Sequence, residues 1–168
     1  MLENSIIKSF LFLISILSFL TNLRMREDFL HFIWKYKKLE IVELKTTTNE
    51  SIEIISTGSH NKLAGPDFFN AQLKISNQLW AGNVEIHMNS SDWYVHGHEI
   101  DANYDNVILH VVWEDDVSVH RSDNSLIPTL ELKSNIASDL IESYKSLFDN
   151  KVKSFINCES ELSTIDEF

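Results

Sequence analysis

With 168 residues the chain is long enough for one domain with a substantial core and short for two. A hydrophobic share of 43% with 10 Phe, 4 Tyr and 4 Trp excludes a disordered polymer, and the single cysteine, Cys158, excludes an internal disulfide and fits a reducing, cytoplasmic setting. The 25 acidic residues outnumber the 14 basic ones, giving a formal charge of -11 and excluding general electrostatic attraction to nucleic acid. A nucleic-acid partner would need a local basic patch or metal ions to offset that repulsion.

Residues 6–23 are almost all Ile, Leu, Phe and Ser, broken by Lys8. The densest part, Phe10 to Leu20, matches a signal-peptide core and falls short of the roughly 20 residues of a membrane span. Three readings stand. A signal peptide lacks a good cleavage site at Thr21-Asn22-Leu23-Arg24; an anchor would put Arg24 and Arg26 on the cytoplasmic side; a start at Met25 would make residues 1–24 an extension. Membrane contact is expected only under the anchor reading. The expected organisation is this extension, an α/β core over 25–133, and a C-terminal helix with a tail over 134–168.

Apolar spacing predicts an amphipathic helix from Glu27 to Leu39, with Glu27 and Asp28 in its first turn and three lysines near its end. Leu44 to Thr48 and Ser51 to Ser56 read as strands around Asn49-Glu50, and Thr57 to Gly65 as a polar loop. Phe68 to Ile75 and Leu79 to His87 then form a hairpin turning at Ser76-Asn77-Gln78. A turn centred on Asn77 sets Asp67 opposite His87, with Glu85 one step diagonal. Because side chains alternate, these three share a face with Ala71, Leu73, Leu79 and Ala81, placing a polar cluster at the end of an apolar surface. Ser90-Ser91-Asp92 starts a helix that Gly97 keeps short. Val107 to Trp113 is a strand buried on both faces, with His110 expected as a core histidine; a further hairpin bends at Asp123-Asn124-Ser125, and a second amphipathic helix runs from Ile136 to Ile156.

Two carboxylates on adjacent strands, Asp67 and Glu85, suit a hard divalent cation, which activates a water and stabilises charge on a phosphodiester. His87 on the same face would position or deprotonate that water. The structural alternative is that Asp67 caps a turn and Glu85 lies on a solvated face. His60, Asn61, His96, His98 and Asp101 are further candidate cleft residues, and His96 with His98 and Asp101 would suit Zn²⁺ or Mn²⁺. Glu27 is either an accessory acid or a residue of the helix cap.

Pro66-Asp67 followed by Glu85-Ile86-His87 in an αβββαβ order resembles the PD-(D/E)XK phosphodiesterase superfamily. That resemblance implies a mixed sheet flanked by helices, with Asp67 and Glu85 binding Mg²⁺ (or Mn²⁺) and His87 standing where the superfamily has a lysine. A longer set of motifs resembles a bacterial family, domain of unknown function 2851. It comprises Arg26 to His31, Ala64 to Ala71, Trp80 to His87, Ser91 to Tyr94, His96-Gly97-His98 and Tyr104 to Val112. This second resemblance implies a start near Met25 and a continuation past residue 168. Together the readings lead to a Mg²⁺-dependent nuclease with Asp67, Glu85 and His87 as its catalytic residues. Their rivals are a non-catalytic binding module on the same fold and a His/Asp metalloenzyme acting on a small molecule.

Overall fold

A computed structural model describes residues 26–39 and 43–149. The apolar segment at 6–23 lies outside the described residues, and with it the signal, anchor and alternative-start readings; so does the second part of the helix expected to reach Ile156. No helix among the described residues is long and apolar enough to cross a membrane. The described residues up to Ser138 form one compact unit, and those from Asp139 belong to another, seen as a helix at Ser138–Asp149.

Helix α1 (Glu27–Lys35) buries Phe29, Leu30, Ile33 and Trp34 against the sheet, while Trp34 Nε1 donates to Thr57 O at 3.1 Å. It stops four residues short of Leu39. The cause is a left-handed Lys37 (φ 49°), where Lys38 N donates to Ile33 O and Lys37 N to Trp34 O, the pairing that closes a Schellman cap. Glycine normally marks this ending, so a lysine there concealed it from sequence reading. Lys37 Nζ also donates to Ile54 O at 2.8 Å, tying the helix end to the second strand.

Seven strands form one mixed sheet: β1 (Leu44–Lys45), β2 (Ser51–Ser56), β3 (Ser59–His60), β4 (Phe68–Ile75), β5 (Gln78–Asn89), β6 (Val107–Glu114) and β7 (Thr129–Glu131). The order is β1-β2-β4-β5-β6-β7, with β3 paired to the start of β4. Strands β1, β2, β4 and β5 run antiparallel; β5, β6 and β7 run parallel. Thr47 N donates to Thr129 O at 2.9 Å, so backbone beside one edge strand bonds the other edge strand. The expected hairpin at Asp123-Asn124-Ser125 is short: one antiparallel bridge, His120 to Leu126, flanked by Arg121 N to Ser125 O and Ile127 N to Val119 O at 3.0 Å each. Beyond it the chain enters the sheet parallel to β6.

The central hairpin forms with a different register. Its loop is Ser76-Asn77, with Ile75 opposite Gln78 and a left-handed Ser76 (φ 52°). That pairing sets Leu73 against Trp80, so Leu79 and Ala81 face solvent and do not share the buried face of Ala71 and Leu73. A bulge between Phe68 and Ala71, with Asn70 at φ 57°, then shifts the pairing by one more residue and sets Phe68 opposite Val84. Two one-residue offsets restore parity, and Asp67 and Glu85 meet after all.

Parallel pairing of β5 and β6 requires a crossover, and residues 90–106 supply it with a single turn of helix α2 (Asp92–Val95) and two 3-10 turns. Ser90 and Ser91 do not cap α2. Both hydroxyls donate to Asp116, at 2.9 and 2.8 Å, and Ser91 N adds a bond of 2.8 Å, so the crossover is pinned to the segment after β6. Trp93, Tyr104, Val107, Val119 and Ile127 pack beneath it as a buried cluster. Gly97 has φ 72° and turns the chain between His96 and His98; a Cβ there would meet nothing within 4 Å, so only the dihedral demands glycine. Gly97→Ala is expected to cost about 1 kcal/mol and Gly97→Asn less, because asparagine tolerates the left-handed region. Urea unfolding in EDTA measures both, and an alanine variant as stable as wild type would refute the assignment.

Candidate functional site

Five segments deliver polar side chains to one end of the hairpin: Glu27 and His31 from α1, Asp67 before β4, Glu85 and His87 from β5, His96 and His98 from the crossover, and His110 from β6. Glu27 and His31 are four residues apart and therefore share a helix face, which α1 turns toward Asp67. Glu85 and His87 alternate with Ile86 on a strand whose residues 82–87 are all buried. His110 pairs with Glu85 across the parallel ladder and so points to the same face.

The carboxylates hold one another's backbone. Asp67 N donates to Glu85 Oε2 at 3.1 Å, and Ile86 N donates to Asp67 Oδ2 at 2.9 Å. Glu85 is only 5% exposed, which overturns the solvated-face alternative. Its other oxygen, Oε1, lies 3.5 Å from His87 Nε2 and 3.4 Å from His98 Nε2, and His87 Nε2 lies 3.1 Å from His96 Nδ1. Behind them, His87 Nδ1 and His110 Nε2 are 2.8 Å apart. Tyr104 stacks on His98 with ring centres 3.7 Å apart, and Trp93 packs edge-on against the same ring. His96 is exposed, so this histidine group opens to solvent on one side.

The ligand atoms of His87, His96 and His98 all lie within 4.8 Å of one another, and the same holds for Glu27, His31 and Asp67. Donors sharing a tetrahedral ion at bond lengths near 2.0–2.1 Å stand about 3.3 Å apart. Three contacts match that spacing: His87–His96 at 3.1 Å, His98–Glu85 at 3.4 Å and His87–Glu85 at 3.5 Å. His98 Nε2 is buried, yet it has no hydrogen-bond partner among the described residues, although Glu85 Oε1 lies 3.4 Å away.

Of the residues expected from sequence, Asp67, Glu85, His87, His96 and His98 come together. His60 sits at the margin, stacked on Phe68 and edge-on to His31. Asn61 and Asp101 are occupied elsewhere. Asn61 Nδ2 donates to the carbonyls of Leu63, Ala64 and Pro66, each at 3.1 Å, and organises the loop before Asp67. Asp101 accepts from Asn103 N at 2.9 Å and caps a 3-10 turn. Sequence reading did not nominate His31, although its spacing from Glu27 was a visible signal. His110 is fully buried as expected, but its Nε2 contacts a site residue and its Nδ1 has no hydrogen-bond partner among the described residues.

Residues 27–168 match the family model described as protein of unknown function, DUF2851. The chain belongs to the DUF2851 family. No curated protein and no solved structure matches it. Every site residue of this DUF2851 chain, from Glu27 to His110, falls within the matched region.

Electrostatics favour neutral imidazoles beside trapped acid. Burial pushes the Glu85 carboxyl up to about 9, and Asp67 adds to the push. Burial drives His87 down to about 2, helped by neighbouring histidines, and His110 down to about 3, helped by His98, and it holds His98 below its ordinary value. For His31 burial opposes the charge, but Asp67 and Glu27 outweigh it and raise its pKa. Neutral histidines offer lone pairs, which is the state a metal requires.

The signs give a stability profile for metal-free protein. His87, His98 and His110 bind protons more readily when unfolded, so their contribution to stability is lost as pH falls below 6.5 and is constant above it. Glu85 holds its proton more tightly when folded, so stability is lost as pH rises from 4.5 through about 9. His31 adds to the loss above 6.5. Thermal unfolding in EDTA should therefore peak near pH 6.5 and decline toward 9, and Glu85→Gln should flatten the decline. An unchanged alkaline slope in that variant would contradict the burial argument.

Proposed function

We propose that this protein is a metal-dependent hydrolase whose ion is held by His87, His96, His98 and Glu85. One observation carries the reading: the imidazole donor atoms of His87, His96 and His98 lie within 4.8 Å of one another, Glu85 Oε1 stands 3.5 and 3.4 Å from two of them, and the buried His98 Nε2 has no hydrogen-bond partner among the described residues. Three imidazoles and one carboxylate suit Zn²⁺ or Mn²⁺ better than Mg²⁺, which prefers oxygen ligands and retained waters. His87 is then a ligand rather than the residue that positions water. His110 fixes its tautomer, since a metal on Nε2 leaves Nδ1–H to donate to His110 Nε2. The exposed side at His96 admits water and a small substrate, and a bound ion would lower the pKa of that water and polarise the bond under attack.

A second reading, phosphodiester hydrolysis of nucleic acid in the manner of the PD-(D/E)XK superfamily, is favoured by the acid pair. Asp67, just before β4, and Glu85 on β5 stand side by side with linked backbone contacts, where the resemblance would have both bind the ion. Against it, the formal charge of -11 repels a polyanion, and the sequence has a histidine where the superfamily has lysine.

Isothermal titration of EDTA-stripped protein with Zn²⁺, Mn²⁺ and Mg²⁺ should give the tightest binding with Zn²⁺ or Mn²⁺. His98→Ala should weaken it at least about tenfold, since losing a ligand costs no less than losing an outer-shell partner. Hydrolysis of bis(p-nitrophenyl) phosphate should depend on that ion and vanish in the same variant. Metal affinity indifferent to His98→Ala would sink the hydrolase reading. Plasmid cleavage exceeding small-ester turnover, lost in Asp67→Ala, would select the nucleic-acid reading.

A further inference from the structure

The set of three histidines and Glu85 leaves a second group of donors unused. Glu27 Oε1, His31 Nε2 and Asp67 Oδ2 converge from α1 and the approach to β4, with His31 Nε2 3.2 Å from Asp67 and 4.0 Å from Glu27. Nε2 is shielded from solvent and stands close to an acidic oxygen that already accepts from Ile86 N. One ligand atom from each of the three residues lies within 4.8 Å of the others, a spacing that one cation can bridge.

The three side chains are rigidly supplied. Glu27 and His31 are one helical turn apart on a helix packed against β5. Asp67 follows Pro66, its carbonyl accepts from Asn61 N at 2.7 Å, and its Oδ2 accepts from Ile86 N. Edge contacts from His60 and Phe68 fix the plane of the His31 ring. The side chains of Glu27, His31 and Asp67 remain 42%, 21% and 19% exposed, so waters can complete a coordination shell.

We propose that Glu27, His31 and Asp67 form a second divalent-cation site, distinct from the quartet of three histidines and Glu85 and joined to it by the Asp67 N–Glu85 Oε2 bond. Two carboxylates and one imidazole suit Mn²⁺, with Zn²⁺ as a competitor. This deepens the hydrolase reading: paired ions can stabilise both the attacking and the leaving oxygen of a displacement. The donor set does not itself depend on the quartet.

The test is metal stoichiometry in full-length protein, loaded with Mn²⁺ after EDTA stripping and measured by plasma mass spectrometry and titration calorimetry. The expected result is two ions per chain, falling to one in His31→Ala and to one in His98→Ala. Glu27→Gln, a milder change at a half-exposed position, should weaken the second ion at least about tenfold and spare the first. Circular dichroism of each variant guards against misfolding. Two ions retained in His31→Ala, with Glu27→Gln at wild-type affinity, would overturn the second site. One ion per wild-type chain that only His98→Ala removes would overturn it and leave the quartet standing. One ion that only His31→Ala removes would uphold it and overturn the quartet. No bound ion would overturn both.

Discussion

Asp67 and Glu85 fasten the two strands of the hairpin where its regular pairing ends. Each carboxylate accepts a backbone amide from the other strand, Asp67 N to Glu85 and Ile86 N to Asp67. On one side of this clasp hangs the loop that Asn61 organises; against the other, α1 brings Glu27 and His31. With one oxygen on Asp67 N, Glu85 is left with Oε1 facing His87 and His98. Both donor groups therefore take their positions from a contact between two acids. Without it, Glu85 would be a buried carboxyl with no amide to accept from, at a cost of about 1–3 kcal/mol.

Such a clasp works against ordinary burial. Three acidic side chains, Glu27, Asp67 and Glu85, gather beside imidazoles that burial keeps largely uncharged. His31 is the exception, since the acids around it raise its pKa. A cation would satisfy the remaining negative charge, and the same desolvation that penalises the acids strengthens their attraction to it. The folded chain thus builds an unfavourable arrangement at one end of its best-packed strand. Local electrostatic cost sustained by surrounding packing is the usual mark of a functional site rather than of a structural core.

Much of this was legible in the sequence where short-range physics rules. Period-two alternation located the hairpin, the unbroken apolar run located β6, and the Pro66-Asp67 and Glu85-Ile86-His87 segments marked the acids and one imidazole. The helix end was hidden because Lys37, not glycine, adopts the left-handed cap. The partnership of His87 with His96 and His98 was hidden for another reason: it depends on a crossover whose path is set by Trp93 and Tyr104 packing and by the Ser90 and Ser91 bonds to Asp116. His31 escaped notice because its partner lies thirty-six positions away, and nothing in a helical stripe announces which strand it will meet.

Register is the instructive case. A hairpin turning one residue earlier than expected should have put Asp67 and Glu85 on opposite faces, since a single slip inverts every side chain. The bulge at Asn70 undoes that inversion. Left-handed asparagine is among the least costly ways to insert the extra residue, and its backbone N donates to Asn83 Oδ1 at 3.4 Å. Hairpin turn and bulge are therefore coupled constraints: the tight loop at Ser76-Asn77 sets Leu73 and Ala71 into the core, and the bulge then frees the last residues before β4 to obey a different parity. The apolar half of the hairpin answers to packing and the polar half answers to the site, with Asn70 separating them. Straightening that bulge would leave Ala71 and Leu73 buried and turn Asp67 away from Glu85, so fold and site could be lost independently.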